Sequence, residues 1–473
     1  MATIRVTNGL VVTPHGIING GVWAEDGVIG LVGDNRQLPA AEETVDARGR
    51  FVLPGLVDPH VHLGVGGSAD DKKFLSDLAS ETRAAAVGGI TTIVTDHENA
   101  HGPSWVTTRL GSDGRTLLEH AKTAIGSRSP VDVRYTANPS NADDLREMRT
   151  LVEQGVTSFK MFPSYVGAEA EEFGIETVDL AFIYEAFEAI ARLDDPWRPT
   201  QGMVHCEEPS ICTLLKARLR VGNAGSLKGW AQARPAICEA MQILDVGLIA
   251  KQTGARAYIP HVSSEEGVRA IEYLKQRNVS IIGETCPHYL VSRFPWEVGA
   301  FGKVNPPVHD GSDRDYLWAA LADGRLEAIG SDNCRFTPSE KREADLWDAI
   351  PGFSEIGLSL ALMLTDGIAE GRLDWVTLAR VSSEYPARLF ALYPAKGAIQ
   401  SGADADLVVV DPEEEWTVRA REFWYDVDSS LYEGASMRGR PVTTIRRGEV
   451  VAEKGWVARD GGRYVETPRA TKM

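Results

Sequence analysis

The chain has 473 residues, of which 43% are hydrophobic and 25% are charged, and its formal net charge at pH 7 is −18. This profile is typical of a globular protein with one large domain and a smaller one. The strong negative charge argues against a nucleic-acid partner or an anionic membrane surface, and five scattered cysteines without a C-x-x-C pair argue against a disulfide framework.

Both ends of the chain predict short strands. Residues 1–50 hold alternating apolar segments separated by Asn-Gly and Asp-Gly pairs, and the same texture returns over 405–452. Because neither end alone has enough strands to bury a core, we predict one small β-sandwich built from residues 1–53 and 394–473. No apolar leader segment follows Met1 and no run approaches the roughly 20 residues of a membrane span, so we expect a cytoplasmic protein.

The central part of the chain, residues 54–393, alternates strand and helix signals. Helices with a 3.6-residue apolar period lie over 74–86, 144–153 and 265–276. Strand-like apolar runs lie at 51–57, 89–94, 156–159, 202–204, 256–259, 279–282 and 326–329. Repeated βα units over this length predict an α/β fold, with a (β/α)8 TIM-like barrel over 54–393.

Two histidines one residue apart follow the first of these apolar runs. In a strand, side chains at i and i+2 share a face, so His60 and His62 can converge on one cation. The later runs are also followed by residues that bind metals or move protons: Lys160, His205, His261 and Asp332. Since the carboxyl ends of barrel strands meet at one mouth, the six residues together predict a metal centre.

Each of these residues also has an ordinary structural interpretation. A single histidine at a strand end is more often a hydrogen-bonded structural residue than a ligand. Lys160 can be a surface lysine whose stem packs on apolar neighbours, and Asp332 can cap a turn or a helix. Six such residues at the strand ends of one barrel favour the metal interpretation.

Six motifs of the chain resemble the amidohydrolase superfamily, in its hydantoinase, dihydropyrimidinase and allantoinase branch. The motifs are PGLVDPHVH at 54–62, HCEE at 205–208, ARP at 233–235, HVSS at 261–264, ETCPHYL at 284–290 and GADADLV at 402–408. The resemblance covers essentially the whole chain and implies an enzyme that hydrolyses the amide bond of a small cyclic substrate.

The resemblance also implies a binuclear centre of two divalent metal ions, usually Zn²⁺. Its ligands would be His60, His62 and Asp332 on one ion, and His205 and His261 on the other. Lys160 would bridge both ions as an N-carboxylated lysine, because an ammonium repels cations whereas a carbamate is an extended carboxylate. A metal-bridged hydroxide would attack the ring amide, and Asp332 would carry its proton to the leaving nitrogen. Relatives of this kind also imply a homotetramer.

Three positions are implied to contact the substrate. Tyr165 lies five residues beyond Lys160, the offset at which hydantoinases and dihydropyrimidinases place the tyrosine that binds the oxyanion. Allantoinases generally lack that tyrosine, so Tyr165 favours hydantoin- or dihydropyrimidine-like rings, with a rim aromatic as the ordinary alternative. Asn305 occupies the position whose backbone holds the ring amide. Gly64 replaces the arginine with which dihydroorotases grip a carboxylate, which argues against an acidic substrate.

Three features depart from the family pattern. Asn333 follows Asp332 where the family commonly has histidine, and this change should alter local hydrogen bonding without emptying the metal site. The loop 63–69 lacks the bulky residues with which hydantoinases contact the exocyclic substituent. His97 and His101, on the next βα loop, either line the pocket or are solvated. These departures leave the physiological substrate open among cyclic imides, ureides and lactams.

Two alternative functions also stay open. The sequence motifs HVHL at 60–63 and TCPH at 285–288 favour an allantoinase-like ureide hydrolase. A non-catalytic scaffold, similar to the dihydropyrimidinase-related neuronal proteins that have lost metal ligands, is disfavoured because every ligand position is filled here.

Overall fold

The computed structural model describes most of the chain. The described residues are 2–65, 71–97, 116–173, 176–196, 198–222, 225–291, 294–341, 345–423 and 429–466. They confirm the predicted α/β class, with a barrel of parallel strands and a separate, mostly antiparallel sheet built from both ends of the chain. No helix among the described residues is long and apolar enough to cross a membrane.

The described strands are β1 (Thr3–Thr13), β2 (Gly16–Glu25), β3 (Val28–Gly33), β4 (Glu43–Asp46), β5 (Phe51–Pro54), β6 (Leu56–Leu63), β7 (Ile90–His97), β8 (Asp132–Thr136), β9 (Ser158–Met161), β10 (Gln201–Val204), β11 (Ala257–Ile259), β12 (Ile281–Thr285), β13 (Ala328–Ile329), β14 (Asn333–Cys334), β15 (Leu407–Thr417), β16 (Ser436–Arg446), β17 (Glu449–Glu453) and β18 (Trp456–Val457).

The described α-helices are α1 (Asp71–Val87), α2 (Leu117–Arg128), α3 (Ala142–Glu153), α4 (Ala168–Phe173), α5 (Leu180–Leu193), α6 (Pro209–Arg220), α7 (Leu227–Ala233), α8 (Ala236–Thr253), α9 (Glu265–Lys275), α10 (Pro287–Leu290), α11 (Gly311–Ala322), α12 (Pro338–Lys341), α13 (Ser359–Leu362), α14 (Trp375–Ala379) and α15 (Tyr385–Leu389). Short 3₁₀ turns lie at Asn35–Gln37, Gly299–Gly302, Ile356–Leu358 and Ala420–Glu422, and π-helical turns at Met363–Ile368 and Arg380–Glu384.

The terminal sheet joins the two ends of the chain through one strand pair. Its order is β18-β17-β16-β15-β5-β1-β2-β3, with β4 beside β1. Strand β15 runs antiparallel to β5, and their register pairs Leu407 with Pro54 and Val409 with Val52. Apolar side chains from both ends then share one cluster that includes Val11, Val52 and Leu407. Neither end therefore buries its apolar face without the other.

The barrel consists of eight consecutive parallel strands, β6 to β13. Hydrogen bonds connect β6 to β8 in one arc and β9 to β13 in a second arc. The arcs meet where Ala137, after β8, pairs with Phe159 of β9. At the other seam the Asp332 amide donates to the His60 carbonyl at 3.0 Å, and β14 pairs with β6. The first and last parts of the barrel thus bring two predicted ligands together.

Strand β8 was not among the predicted strands. Its sequence, Asp-Val-Arg-Tyr-Thr, is polar at alternate positions, yet all five residues are buried. Arg134 donates to the Thr157 hydroxyl at 3.0 Å, and Asp132 forms a buried ion pair with Lys396 at 2.8 Å. Partners from distant parts of the chain therefore satisfy this strand, and a local apolar pattern does not reveal it.

Helix α3 illustrates how the outer layer is fixed. The Asn141 side chain accepts a hydrogen bond from the backbone amide of Asp144, and the Asp144 carboxylate accepts one from the backbone amide of Asn141. The pair therefore forms a capping box. The helix buries Met148, Leu151 and Val152 against the strands. This helix leads directly into β9, the strand that carries Lys160.

A buried cluster of charges joins the terminal sheet to the barrel; we call it the sheet–barrel junction. Lys396 Nζ lies 2.8 Å from Asp132, 3.0 Å from Asp404 and 2.7 Å from Asp406. Arg447 also pairs with Asp132. Asp132 begins a barrel strand whereas the other two carboxylates precede β15, so the ammonium holds the two parts of the fold together.

Candidate metal centre and active site

The two histidines at the end of β6 converge with Asp332, as the sequence predicts. His60 Nε2 and His62 Nε2 lie 3.0 Å apart, and the Asp332 Oδ1 atom lies 3.2 Å from the first and 3.0 Å from the second. At that distance an imidazole pair needs a proton or a cation between its lone pairs. Two ring nitrogens and a carboxylate oxygen around one point form a typical divalent-cation ligand set.

Glu284 fixes the orientation of the His60 ring. His60 Nδ1 donates to Glu284 Oε1 at 2.9 Å, which leaves Nε2 facing the centre. The same carboxylate accepts the backbone amide of His261 at 3.3 Å and the hydroxyl of Tyr258. A carboxylate behind a ligating histidine sets its tautomer and raises its basicity. Glu284 therefore supports His60 and positions His261 at the same time.

Lys160 lies in the middle of this cluster and is only 1% exposed. Its Nζ atom is 2.5 Å from His60 Nε2, and its nearest carboxylate among the described residues is Asp96, at 3.6 Å. Asp96 lies 3.7 Å from His62 Nδ1, and with both histidines it forms a group compact enough to hold an ion. The sequence reasoning missed Asp96, although it lies at the end of β7, where the strand-end rule applies.

His205 and His261 form the second part of the cluster. Their ring centroids are 4.5 Å apart, and the His261 ring is 5.4 Å from that of His60. His205 Nε2 contacts Glu207 Oε2 at 2.9 Å, which leaves Nδ1 as the ring nitrogen available to a cation. His261 Nε2 is buried and has no hydrogen-bond partner among the described residues. An unpartnered buried imidazole nitrogen fits a metal ligand.

Arg234 holds Glu207 in place behind His205. Arg234 Nε and Nη2 donate to the two Glu207 oxygens at 2.8 and 2.7 Å, a bidentate pair that is almost fully buried. Burial opposes ionisation of Glu207, but Arg234 and His205 lower the pKa of this carboxyl to about 2. Glu207 thus stays a carboxylate and accepts a hydrogen bond from the N–H of the His205 ring.

The protonation states of the cluster suit cation binding. Burial lowers the pKa of His60, His205 and His261, which keeps these imidazoles neutral and able to ligate. Burial works against ionisation of Asp332, yet the imidazoles around it hold its pKa well below the usual range. The cluster therefore offers neutral nitrogens together with an anionic oxygen.

A pocket with about 420 Å³ of empty space opens onto these side chains. It is lined by His62, Val65, Lys160, Phe162, Tyr165, His205, His261, Val304, Asn305, Asp332, Cys334, Pro351 and Gly352. Five of the six predicted ligands, all but His60, and two of the three predicted substrate contacts therefore face one cavity.

Tyr165 packs edge-on against His205, with ring centroids 5.0 Å apart. Burial raises the pKa of the Tyr165 hydroxyl well above its usual value, so the group remains a proton donor in a hydrogen bond. Asn305 lines the same pocket close to the Tyr165 hydroxyl, and its Oδ1 atom accepts Trp230 Nε1 at 3.1 Å. Asn305 Nδ2 is buried without a hydrogen-bond partner among the residues described, so its side chain is available as a donor.

Gly64 begins the loop after β6. Its amide donates to Asp77 Oδ2 at 2.9 Å and its φ is +88°, a conformation that favours glycine. Val65, the next residue, lines the pocket, whereas Gly64 is not among the lining residues. Residues 66–69 of this loop, the His97 side chain and His101 lie outside the described parts of the chain.

These features of the site agree with comparisons between this chain and known proteins. The family model described as "Amidohydrolase family" matches residues 51–451. The chain belongs to this family. It is 31% identical over 468 residues to an L-hydantoinase of Paenarthrobacter aurescens, covering 98% of this chain and 97% of the relative, and 33% identical over 470 residues to an allantoinase of Rubrobacter xylanophilus, covering 97% and 98%.

Solved structures agree along the whole length of this amidohydrolase. A dihydropyrimidinase from Brevibacillus agri matches with a TM-score of 0.85 at 26% identity, covering 98% of this chain and 99% of that one. An L-hydantoinase from Arthrobacter aurescens matches with a TM-score of 0.86 at 28% identity, covering 98% and 100%. The resemblance to the hydantoinase and dihydropyrimidinase branch inferred from the motifs is confirmed.

Asn333 has a structural role in this amidohydrolase. Its Nδ2 atom donates to Glu81 Oε2 at 2.9 Å, and its Oδ1 atom accepts the amides of Glu355 at 2.9 Å and Ile356 at 3.1 Å. The side chain thus ties β14 to α1 and to the turn after Gly352, and all its polar atoms have partners. This network places Asn333 behind Asp332 and outside the group of residues that line the pocket.

Proposed function

We propose that this amidohydrolase hydrolyses the amide bond of a cyclic ureide or imide, of hydantoin or dihydropyrimidine type, at a centre of two divalent cations. One observation carries the proposal: two sets of possible ligands lie close together beside the buried Lys160, at one pocket. The first set is His60, His62 and Asp332, and the second is His205 and His261. Relatives named hydantoinase, dihydropyrimidinase and allantoinase support the cyclic amide as substrate class.

The donor set fits divalent cations of the zinc type. Neutral imidazoles with one carboxylate are the ligands that Zn²⁺ prefers, and His261 Nε2 otherwise has no partner among the described residues. Lys160 fits as an N-carboxylated bridge, since its Nζ atom lies 2.5 Å from an imidazole nitrogen and 3.6 Å from Asp96, its nearest carboxylate among the described residues. Addition of carbon dioxide to the neutral amine turns this group into an anion.

Asp332 is the proton carrier of the proposed reaction. When bound, such cations polarise the ring carbonyl and acidify the attacking water. The Asp332 carboxylate, ionised and facing the pocket, accepts the proton of that water and delivers it to the ring nitrogen as the amide bond breaks.

Tyr165 and Asn305 orient the substrate. The Tyr165 hydroxyl donates to the carbonyl oxygen, which becomes negatively charged as the water attacks. Asn305 holds the ring amide through its backbone, and the free donors of Nδ2 add a contact from the side chain. Both residues line the pocket together with Asp332.

A substrate screen on zinc- and manganese-loaded protein tests the proposal. We expect hydrolysis of dihydrouracil or of a 5-substituted hydantoin, and its loss in Lys160→Ala. Metal-replete protein that leaves a panel of cyclic ureides and imides intact would contradict the assigned chemistry. Metal-free protein from the same preparation is the control.

An allantoinase-type activity is the second candidate, because the allantoinase relative is as similar to this chain as the hydantoinases are. Tyr165→Phe separates the two. An enzyme that uses this hydroxyl on a hydantoin loses roughly 10²–10³-fold in kcat, whereas turnover of allantoin by an enzyme that does not use it stays within about twofold.

Three further assignments are part of the proposal. The domain limits are 1–53, 54–393 and 394–473, the assembly is a homotetramer and the compartment is the cytoplasm. A non-catalytic scaffold would bind no metal at His60 and His205, so metal analysis separates it from the enzyme. Light scattering of the purified chain tests the tetramer.

A further inference from the structure

Two buried lysines lie behind one side of the pocket. Lys303 is 2% exposed and Lys341 is 1% exposed. Residues 301–305 and 347–352 both contribute pocket-lining residues, and we call these two stretches the substrate wall. Lys303 belongs to the first stretch, and Lys341 contacts both. Neither lysine is used by the proposed chemistry.

Lys341 connects the two stretches of the substrate wall. Its Nζ atom donates to the carbonyl of Phe301 at 3.0 Å, to that of Lys303 at 3.2 Å, and to that of Gly352. The Gly352 amide also donates to the Lys303 carbonyl at 2.9 Å. An ammonium has three donors, and here all three reach main-chain oxygens that no strand partner satisfies.

Lys303 makes the reverse connection. Its Nζ atom donates to the carbonyls of Trp347 at 3.1 Å and Ala349 at 2.5 Å, and it lies 3.9 Å from the centre of the Trp230 ring. The Trp230 indole in turn donates to Asn305 Oδ1 at 3.1 Å. Lys303 therefore holds the second stretch while the ring beneath it holds the substrate-facing asparagine.

The charge on Lys341 is unfavourable for folding. Burial lowers the pKa of Lys341 to about 7, Cys334 acts in the opposite direction, and the nearby Lys303 lowers it further. No carboxylate of the described residues pairs with it. A methionine of similar volume would avoid this desolvation but would leave three main-chain oxygens without the Lys341 donor, so the role of the lysine lies in these contacts.

We propose that Lys303 and Lys341 are positioning residues that set the shape of the substrate wall, and with it the size of ring substituent that the pocket admits. The inference rests on the proposed function. By fixing Gly352 to Lys303, Lys341 sets the distance between two pocket-lining stretches, and Lys303 with Trp230 sets the position of Asn305.

The test compares Lys341→Met with Lys275→Met. Lys275, on the outer helix α9, also donates to a carbonyl, that of Arg325 at 2.7 Å, but lies away from the pocket. We expect Lys341→Met to keep the metal content but to melt at a lower temperature than the wild type, because buried carbonyls lose their donor. Its kcat/KM for the preferred cyclic amide should fall roughly tenfold to a hundredfold, mainly through KM, and discrimination between small and bulky ring substituents should weaken.

Hydrogen exchange gives a readout that needs no substrate. In Lys341→Met, exchange should rise in peptides covering 301–305 and 347–352 and stay unchanged elsewhere, whereas Lys275→Met should leave both stretches protected. This result supports the positioning role of Lys341 whether or not the protein hydrolyses any of the cyclic amides. A failure to hydrolyse them would contradict only the proposed function.

Unchanged exchange in both stretches together with an unchanged KM would overturn the inference. Should Lys341→Met fail to fold, Lys341→Gln is measured in the same way, because it retains two donors and no charge. Partial loss of protection in that variant supports the inference, and full wild-type protection with wild-type KM contradicts it.

Discussion

Two buried lysines in this protein have opposite surroundings. At the sheet–barrel junction, Lys396 lies within 3.0 Å of three carboxylates, those of Asp132, Asp404 and Asp406. In the pocket, Lys160 lies 2.5 Å from an imidazole nitrogen of His60 and 3.6 Å from its nearest described carboxylate. Both side chains are almost fully buried. The first site is built for an ammonium, and the second is not.

This difference separates the two groups of the described residues that are compact enough to hold an ion. At the junction, Lys396 already occupies the space between the three aspartates, and although burial works against its charge, these carboxylates raise its pKa. The cluster around Lys160 is different, because an ammonium can donate to His60 Nε2 but carries no lone pair with which to bind a cation. Conversion of Lys160 to a carbamate turns the mismatch into a bridging ligand.

The largest expected effect comes from removing the pocket lysine. In Lys160→Ala two cations would face each other without a bridging anion, so we expect loss of about 10⁴-fold or more in kcat and weaker binding of metal. Steady-state kinetics and metal analysis measure both. Propionate or another short carboxylate, which can occupy the vacated space, should restore part of the activity. Wild-type turnover by Lys160→Ala would contradict the role assigned to Lys160 in the comparison with Lys396.

Removing the junction lysine should affect stability and leave the chemistry intact. Lys396→Met leaves Asp404 and Asp406 without this cation and Asp132 with Arg447 alone, and we expect a loss of about 3–5 kcal/mol in the free energy of unfolding. Urea denaturation measures this loss. The metal content and KM of the folded variant should equal those of the wild type, because the junction residues are not among those lining the pocket. A stable variant with altered metal content would reverse the roles assigned to the two lysines.

The same junction predicts a dependence of stability on acid. Burial opposes ionisation of Asp132, but Lys396 and Arg447 lower its pKa to about 2, below its value of about 3.9 in the unfolded chain. A carboxyl with a lowered pKa stabilises the fold above pH 4, and this contribution, about 2–3 kcal/mol, is lost as the pH falls toward 2. The difference in unfolding free energy between wild type and Lys396→Met should therefore narrow between pH 4 and 2. If this difference in unfolding free energy stays constant between pH 4 and 2, the Asp132–Lys396 pair is not the source of the acid dependence.

A smaller effect is expected behind the second set of ligands. Glu207→Gln removes the carboxylate that orients His205, and we expect metal affinity at that side to fall about 10- to 100-fold. Titration with a chelator measures the change. The neighbouring Glu208→Gln is the matched control, because Glu208 caps helix α6 and does not contact the histidine. Equal metal affinity in both variants would show that His205 needs no support from Glu207.

The sequence predicts the ligands much better than the residues that support them. His60, His62, Lys160, His205, His261 and Asp332 each follow a recognisable strand, and barrel topology brings such positions together. Glu284 supports His60 from 224 positions away in the chain, and Asp96 ends a strand whose predicted run stopped two residues earlier. A contact such as that of Glu284 depends on tertiary structure and leaves no periodic signal, whereas Asp96 follows the strand-end rule once the strand is extended to His97.

The same reasoning applies to the fold. The barrel and the joined ends follow from apolar runs and turn residues, whereas β8 does not, because Arg134 and Asp132 are buried there by partners from distant segments. Asn333 is also informative only in context. The sequence shows that it replaces the usual residue, and its three partners show that it ties β14 to the layer behind the pocket.

The most direct test of the central claim is carbon-13 NMR of the metal-loaded protein equilibrated with labelled bicarbonate, combined with a metal count on the same sample. The account predicts two divalent ions per chain and one carbamate carbon signal that disappears in Lys160→Ala and persists in Lys396→Met. A fully metal-loaded wild-type chain without a carbamate signal, or with the signal retained in Lys160→Ala, would contradict it.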